Sequence, residues 1–131
     1  MRRFLPSWSV RCLCVLILFH GVMAYSLAAA RSGNYYAAIA YSERTKKWGF
    51  SEKCTDKEEA FKNARKECKA GDAKVVVWSS NDTYCALALS PNGAFGCATG
   101  ANEKEARKAA HANCRKFGKH ATVVVCVRGG P

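Results

Sequence analysis

The residues best equipped for chemistry in this chain are its thiols. Eight cysteines occur in 131 residues. Cys12 and Cys14 lie near the N-terminus, while Cys54, Cys68, Cys85, Cys97, Cys114 and Cys126 are spread through the remainder. A thiol can ligate a metal, attack a substrate or pair with another thiol. Metal ligation is disfavoured: no C-x-x-C pair exists, and beyond the N-terminal segment the only histidines are His111 and His120. An even set of six leaves no cysteine obviously free to act as a nucleophile, so the expectation is disulfides. Other catalytic groups are scarce. His111 stands beside Arg107 and Arg115 on a polar helix face, and His120 lies in the loop Gly118–Thr122. Glu58 and Glu59 are adjacent, so on a helix they do not share a face as an acid–base pair must. There is no G-x-S-x-G, no H-E-x-x-H and no phosphate loop. The pattern predicts no catalytic residue, no metal and no cofactor; His120→Ala is the first variant with which to challenge that.

The N-terminal segment explains why disulfides are expected. Arg2, Arg3 and Arg11 form a basic region, Leu13–Phe19 a short apolar run, and Ala28 and Ala30 an A-x-A cleavage pattern. This reads as a signal peptide over residues 1–30. Its apolar run is shorter than the ~20 residues a membrane span needs. Cys12 and Cys14 are expected to leave with it. Removing three arginines and no acid from the chain's 21 basic and 10 acidic residues leaves a domain, residues 31–131, of net charge +8. The predicted location is secreted or periplasmic. A domain this small buries a limited core and gains from cross-links.

The elements that must position these residues are written twice. Y-A-A-I-A-Y-S…W-G-F…V-V-V-W from Tyr36 to Trp78 is echoed by Y-C-A-L-A-L-S…F-G-C…V-V-V-C from Tyr84 to Cys126. Tyr36 aligns with Tyr84, Ser42 with Ser90, Gly49 with Gly96 and Cys68 with Cys114. The repeats span about residues 35–80 and 84–128. In each, an alternating stretch predicts a strand and a short second strand follows a polar turn; in the second repeat that turn is Pro91-Asn92-Gly93. Helices follow. Thr55-x-x-Glu58 and Asn102-x-x-Glu105 read as their N-terminal capping boxes, and Gly71 and Gly118 as their left-handed caps. Ala60, Phe61, Ala64 and Cys68 share one helix face; Ala106, Ala110, Cys114 and Phe117 share the other. A valine strand closes each unit.

The predicted fold is therefore α+β: two tandem β-β-α-β repeats form a mainly antiparallel sheet of about six strands, with two helices on one face. Whether the sheet is continuous or split in halves the pattern leaves open. If the helices run the same way, Cys68 and Cys114 fall at one end and are expected to bridge. The other four cysteines would supply two bridges, with Cys126 tying down the last strand.

Charge offers binding residues. Lys62, Arg65 and Lys66 on the first helix and Arg107, Lys108 and Arg115 on the second would form one broad basic surface if both helices cover the same face. The turn Arg44-Thr45-Lys46-Lys47-Trp48 sets cations beside an aromatic that is able to stack on a ring, although Trp48 also suits the core, as Phe95 does. On the fourth strand, Tyr84, Ala86, Ala88 and Ser90 mark a small-residue face that is a candidate open surface.

The ordered motifs Y-A-A-I-A-Y-S, W-G-F, V-V-V-W, C-A-L-A-L and F-G-C resemble an exported bacterial family catalogued as domain of unknown function 4189, over about residues 35–128. The resemblance implies an exported, cysteine-bearing domain and no catalytic motif. It also implies a Trp after the second valine run and a Cys before each run, where this chain has Cys126, Ala73 and Ala121. The functional expectation is an exported, disulfide-stabilised, non-enzymatic binding domain with a protein partner, such as an inhibitor, effector or envelope factor. The alternative is a basic domain for polyanions: nucleic acid, anionic lipid or acidic cell-wall polymer.

Overall fold

A computed structural model describes Asn34–Pro131; the signal peptide read at residues 1–30 lies outside the described residues. The elements are β1 (Tyr36–Tyr41), β2 (Trp48–Cys54), α1 (Lys57–Cys68), β3 (Lys74–Ser80), β4 (Tyr84–Leu89), β5 (Phe95–Gly100), α2 (Glu103–Arg115) and β6 (Thr122–Arg128). This is the β-β-α-β unit twice.

The strands form two three-stranded antiparallel sheets, ordered β2-β1-β3 and β5-β4-β6, instead of one sheet of six. Side-chain alternation shows why. Along β1, Ala37, Ile39 and Tyr41 point one way and join Cys85, Leu87, Val125 and Val127 of the second sheet in a shared core. Ala38 and Ala40 point the other way, onto Ala60, Ala64 and Cys68 of α1. On β4, Cys85 and Leu87 face the first sheet, while Ala86 and Ala88 lie under Ala106, Ala110 and Cys114 of α2. Both central strands are thus apolar on both faces, and a helix covers only one. The other repeat's sheet covers the second. The order of layers is helix, sheet, sheet, helix. The two helices therefore lie on opposite outer sides, not on one face. The expected open face is closed as well: Ala86 and Ala88 are fully buried beneath α2.

The helix layers and the inter-sheet layer pack differently. Between sheets the side chains are large, with Tyr41 against Phe95 at 4.8 Å between ring centroids. Each buried Ile or Leu there, such as Ile39 and Leu87, contributes roughly 1.5–3 kcal/mol. Beneath the helices they are small. A Cβ on Gly49 would lie 2.2 Å from the backbone nitrogen of Cys68, and one on Gly96 would lie 2.2 Å from that of Cys114. The last turn of each helix rests on a glycine.

Local signals held with shifts of one or two residues. Asn102 caps α2 by accepting from the Glu105 N–H at 2.9 Å. The cap of α1 is Asp56, not Thr55; its carboxylate accepts from the Glu58 N–H. The left-handed cap of α1 is Lys69 at φ 56°, so the helix ends before Gly71. Gly118 is required for space instead: a Cβ there would come 2.5 Å from the Ser90 hydroxyl. Asn81 and Asp82, at φ 54° and 67°, make the tight turn that carries the chain from the first sheet to the second. The end of β6 docks on that turn, with Gly129 bonded to Asp82 and Thr83 at 2.8 Å and Arg128 paired with Asp82 at 2.7 Å.

The glycine contacts predict a contrast. Gly96→Ala should lower unfolding stability in urea by about 3 kcal/mol, the upper range for overpacking, because helix backbone must move. Gly71→Ala, where a Cβ meets nothing within 4 Å, should leave stability unchanged or slightly raised.

Candidate functional site

All six cysteines of the described domain are free thiols. The expected Cys68–Cys114 bridge cannot form, because the two lie under helices on opposite sides of two sheets. They have a matched role instead. The Cys68 thiol donates to the Lys47 carbonyl at 3.3 Å, and the Cys114 thiol donates to the Ala94 carbonyl at 3.7 Å. Each anchors a helix end to the hairpin of its own repeat. Cys54 packs under α1 and Cys126 under α2, so Cys126 does not bridge to the first repeat. Cys85 and Cys97 face the inter-sheet core, Cys97 donating to the Val76 carbonyl at 3.3 Å.

Burial pushes the Cys85 thiol up to about 12 from its ordinary 9.0, against a smaller opposing effect of the Ser79 hydroxyl. Burial also raises Cys68, Cys97, Cys114 and Cys126. None is poised as a nucleophile. The folded state holds these protons more tightly than the unfolded chain does. The stability tied to the protonated Cys85 is complete below pH 9 and is lost as pH rises toward 12, by about 1.4 kcal/mol per pH unit. Urea midpoints should therefore fall from about pH 9 upward, and the fall should be shallower in Cys85→Ala.

The cations gather differently from the expectation. Lys62, Arg65 and Lys66 lie on α1, and Arg107, Lys108 and Arg115 on α2, so they occupy opposite outer sides and form no single helix surface. Arg107 is further engaged by Glu103 at 2.9 Å. What does converge is one end of the molecule. A Cβ on Gly93 would meet the Lys46 ammonium at 2.9 Å, so the two hairpin turns adjoin. Both helix C-termini reach the same end, held by the Cys68 and Cys114 thiols. Arg44, Lys46, Lys47 and Lys69 from the first repeat, and Arg115, Lys116 and Lys119 from the second, are all exposed there.

Most of the acids lie at the opposite end, where Asp56, Glu58 and Glu59 open α1, Glu103 and Glu105 open α2, and Asp82 turns the chain; Lys53, Lys57, Lys104, Arg107 and Arg128 lie among them, so that end is mixed in charge. At the basic end only Glu43, Glu67 and Asp72 stand against the cations. The carboxyl of Asp72 is held below its ordinary value, chiefly by the Ser42 hydroxyl that donates to it at 2.6 Å.

At the center of this end stands Phe117. Phe117, expected on the buried face of α2, lies beyond the helix and is 75% exposed. The helix ends at Arg115 with Lys116 as its cap, short of what the periodicity implied, so Phe117 does not join its buried face. Phe117 borders two grooves. One of about 490 Å³ is lined by Arg115, Lys116, Lys119, His120 and Asn92; the other, of about 420 Å³, reaches Lys46 and Glu43. His120 is exposed at φ 58°, whereas His111 is half-buried on α2. Trp48 is half-buried against the inter-sheet core and stacks on Phe50 at 6.5 Å, so it packs as Phe95 does.

Among the described residues, no group of three or more His, Cys, Asp or Glu is placed to hold a metal, and no helix is long and apolar enough to cross a membrane. Fold and surface together define a small repeat-built α+β domain with a polarised charge distribution. The chain belongs to the family described as domain of unknown function DUF4189, whose match covers residues 36–127. No curated protein and no solved structure was found to match it.

Proposed function

We propose that this chain is an exported, non-enzymatic binding domain that engages an acidic protein surface through its basic end. Export follows from the signal-peptide pattern of residues 1–30. The observation that carries the rest is Phe117, a large aromatic three-quarters exposed in a ring of cations. Aromatic anchors surrounded by charge are the composition of energetically dominant interface positions. Charge at the rim steers encounter, and the apolar anchor holds the complex. Disulfide stabilisation, if it accompanies export, narrows to Cys85 and Cys97. They lie one pair apart on adjacent strands and face the same core, which is the placement nearest to what a bridge requires.

The second reading, a polyanion as ligand, draws on the same cations but gives Phe117 no specific work. The two separate in one experiment. The mature domain is immobilised, exposed to nuclease-treated envelope and secreted fractions, and washed at moderate salt. A protein partner should be retained, lost in Phe117→Ala by about tenfold or more in affinity, and weakened by Lys116→Glu with Lys119→Glu. Retention of acidic polymer alone, lost steeply with salt and indifferent to Phe117→Ala, would replace the first reading with the second.

A further inference from the structure

At the opposite end, remote from the surface just described, lies a groove of a different character. It runs between the end of β3 and the end of β5, with a volume of about 420 Å³. That is within the roughly 300–1,000 Å³ of small-molecule sites. Its lining is Trp78, four hydroxyl residues (Ser79, Ser80, Thr83 and Thr99), and Gly100–Ala101. None of these side chains carries a charge, in a chain where 24% of residues are charged. The Ser79 hydroxyl is buried beside the Cys85 thiol on the inter-sheet face of β3, so the hydroxyls open to the groove are those of half-buried Ser80 and exposed Thr99.

Trp78 forms the wall of this groove and is 40% exposed. Its ring is fixed from the other directions. Phe61 meets it edge-on at 6.2 Å, Tyr36 lies at 6.3 Å, and the Lys57 ammonium sits 4.1 Å from the ring centroid. These contacts hold the indole in one orientation, as a preformed platform should be held.

The repeat supplies an internal control. In the second unit the places of Lys57, Phe61 and Trp78 are taken by Glu103, Arg107 and Cys126. The same corner is built there with an ion pair of 2.9 Å and a thiol. The fold therefore does not require the aromatic cluster, and something other than folding accounts for a half-exposed tryptophan on an edge strand.

We infer that this groove binds a neutral sugar ring, as part of a glycan. The apolar C–H face of a pyranose lies flat on the indole, and its hydroxyls exchange hydrogen bonds with Ser80 and Thr99. An ionic ligand finds no counter-charge in the lining: Asp82 and Glu103 are paired with Arg128 and Arg107, and the Lys57 ammonium sits against the indole. The Thr83 hydroxyl is already bonded to the Ser80 backbone, at 2.6 Å to its carbonyl, but a purely apolar ligand would leave the Ser80 and Thr99 hydroxyls without a partner. A sugar matches both the aromatic and the hydroxyl chemistry.

The test is titration of the isotope-labelled mature domain with neutral pentasaccharides of glucose, mannose, xylose and galactose, followed by amide shifts. Shifts should be confined to residues 78–83 and 99–101, with an affinity that does not change with salt. Thr99→Val, which removes one exposed hydroxyl and spares the fold, should weaken binding about tenfold, or roughly 1.4 kcal/mol. Trp78→Ala should abolish it. Lys116→Glu with Lys119→Glu at the basic end should leave it unaltered, so the outcome is independent of the partner reading. No shift with any of the four sugars at millimolar concentration overturns the inference. So do shifts centred elsewhere, or an affinity indifferent to both Thr99→Val and Trp78→Ala.

Discussion

How close a helix backbone can come to its sheet governs this structure. Gly49 and Gly96 let the last turn of each helix touch the strand beneath, and no side chain of any size fits between them. Above and below that contact the layer is lined by alanine: Ala38, Ala40, Ala60 and Ala64 in one repeat, Ala86, Ala88, Ala106 and Ala110 in the other. The thiols of Cys68 and Cys114 complete each contact by donating to a hairpin carbonyl. A layer so thin buries little apolar area per residue. The greater hydrophobic contribution has to come from the opposite face of each sheet.

That second face explains the pairing of the repeats. Ile39 and Tyr41 on one sheet, and Leu87 and Val125 on the other, are too apolar to face water. Neither repeat has a second helix with which to cover them. Each therefore covers the other, as units of repeat proteins do when one alone cannot bury its hydrophobic surface. The tight turn at Asn81 and Asp82 is short enough to force the two sheets together.

Charge polarity follows from the same arrangement. Acids favour helix N-termini and bases favour C-termini, because each offsets the partial charge of unpaired backbone groups. In a pair of antiparallel helices the two effects would cancel across the molecule. Here the helices run the same way, so both acidic ends and both basic ends coincide. A chain with modest local preferences becomes a domain with a basic end and an end of mixed charge. Two of the three exposed aromatics are then divided between them, Phe117 among cations and Trp78 beside an uncharged hydroxyl groove.

The repeat, the order of its elements and the capping of α2 were legible because each rests on local periodicity or on neighbours a few residues apart. The alanine faces of both helices were legible for the same reason. The place of Phe117 was not, since a single residue at the margin of an element is assigned by where that element stops, whereas Trp48 packs against the core as its match with Phe95 suggested. Nor was the fate of the cysteines. Six thiols in an even set suggested bridges, but pairing depends on which layer each occupies, and Cys68 and Cys114 ended on opposite sides of two sheets. By itself the sequence determined that two β-β-α-β units form and which faces are apolar. Only the tertiary structure decided that the sheets meet face to face and send the helices outward. The reason is physical: side-chain alternation states that a face must be buried, and says nothing of which surface will bury it.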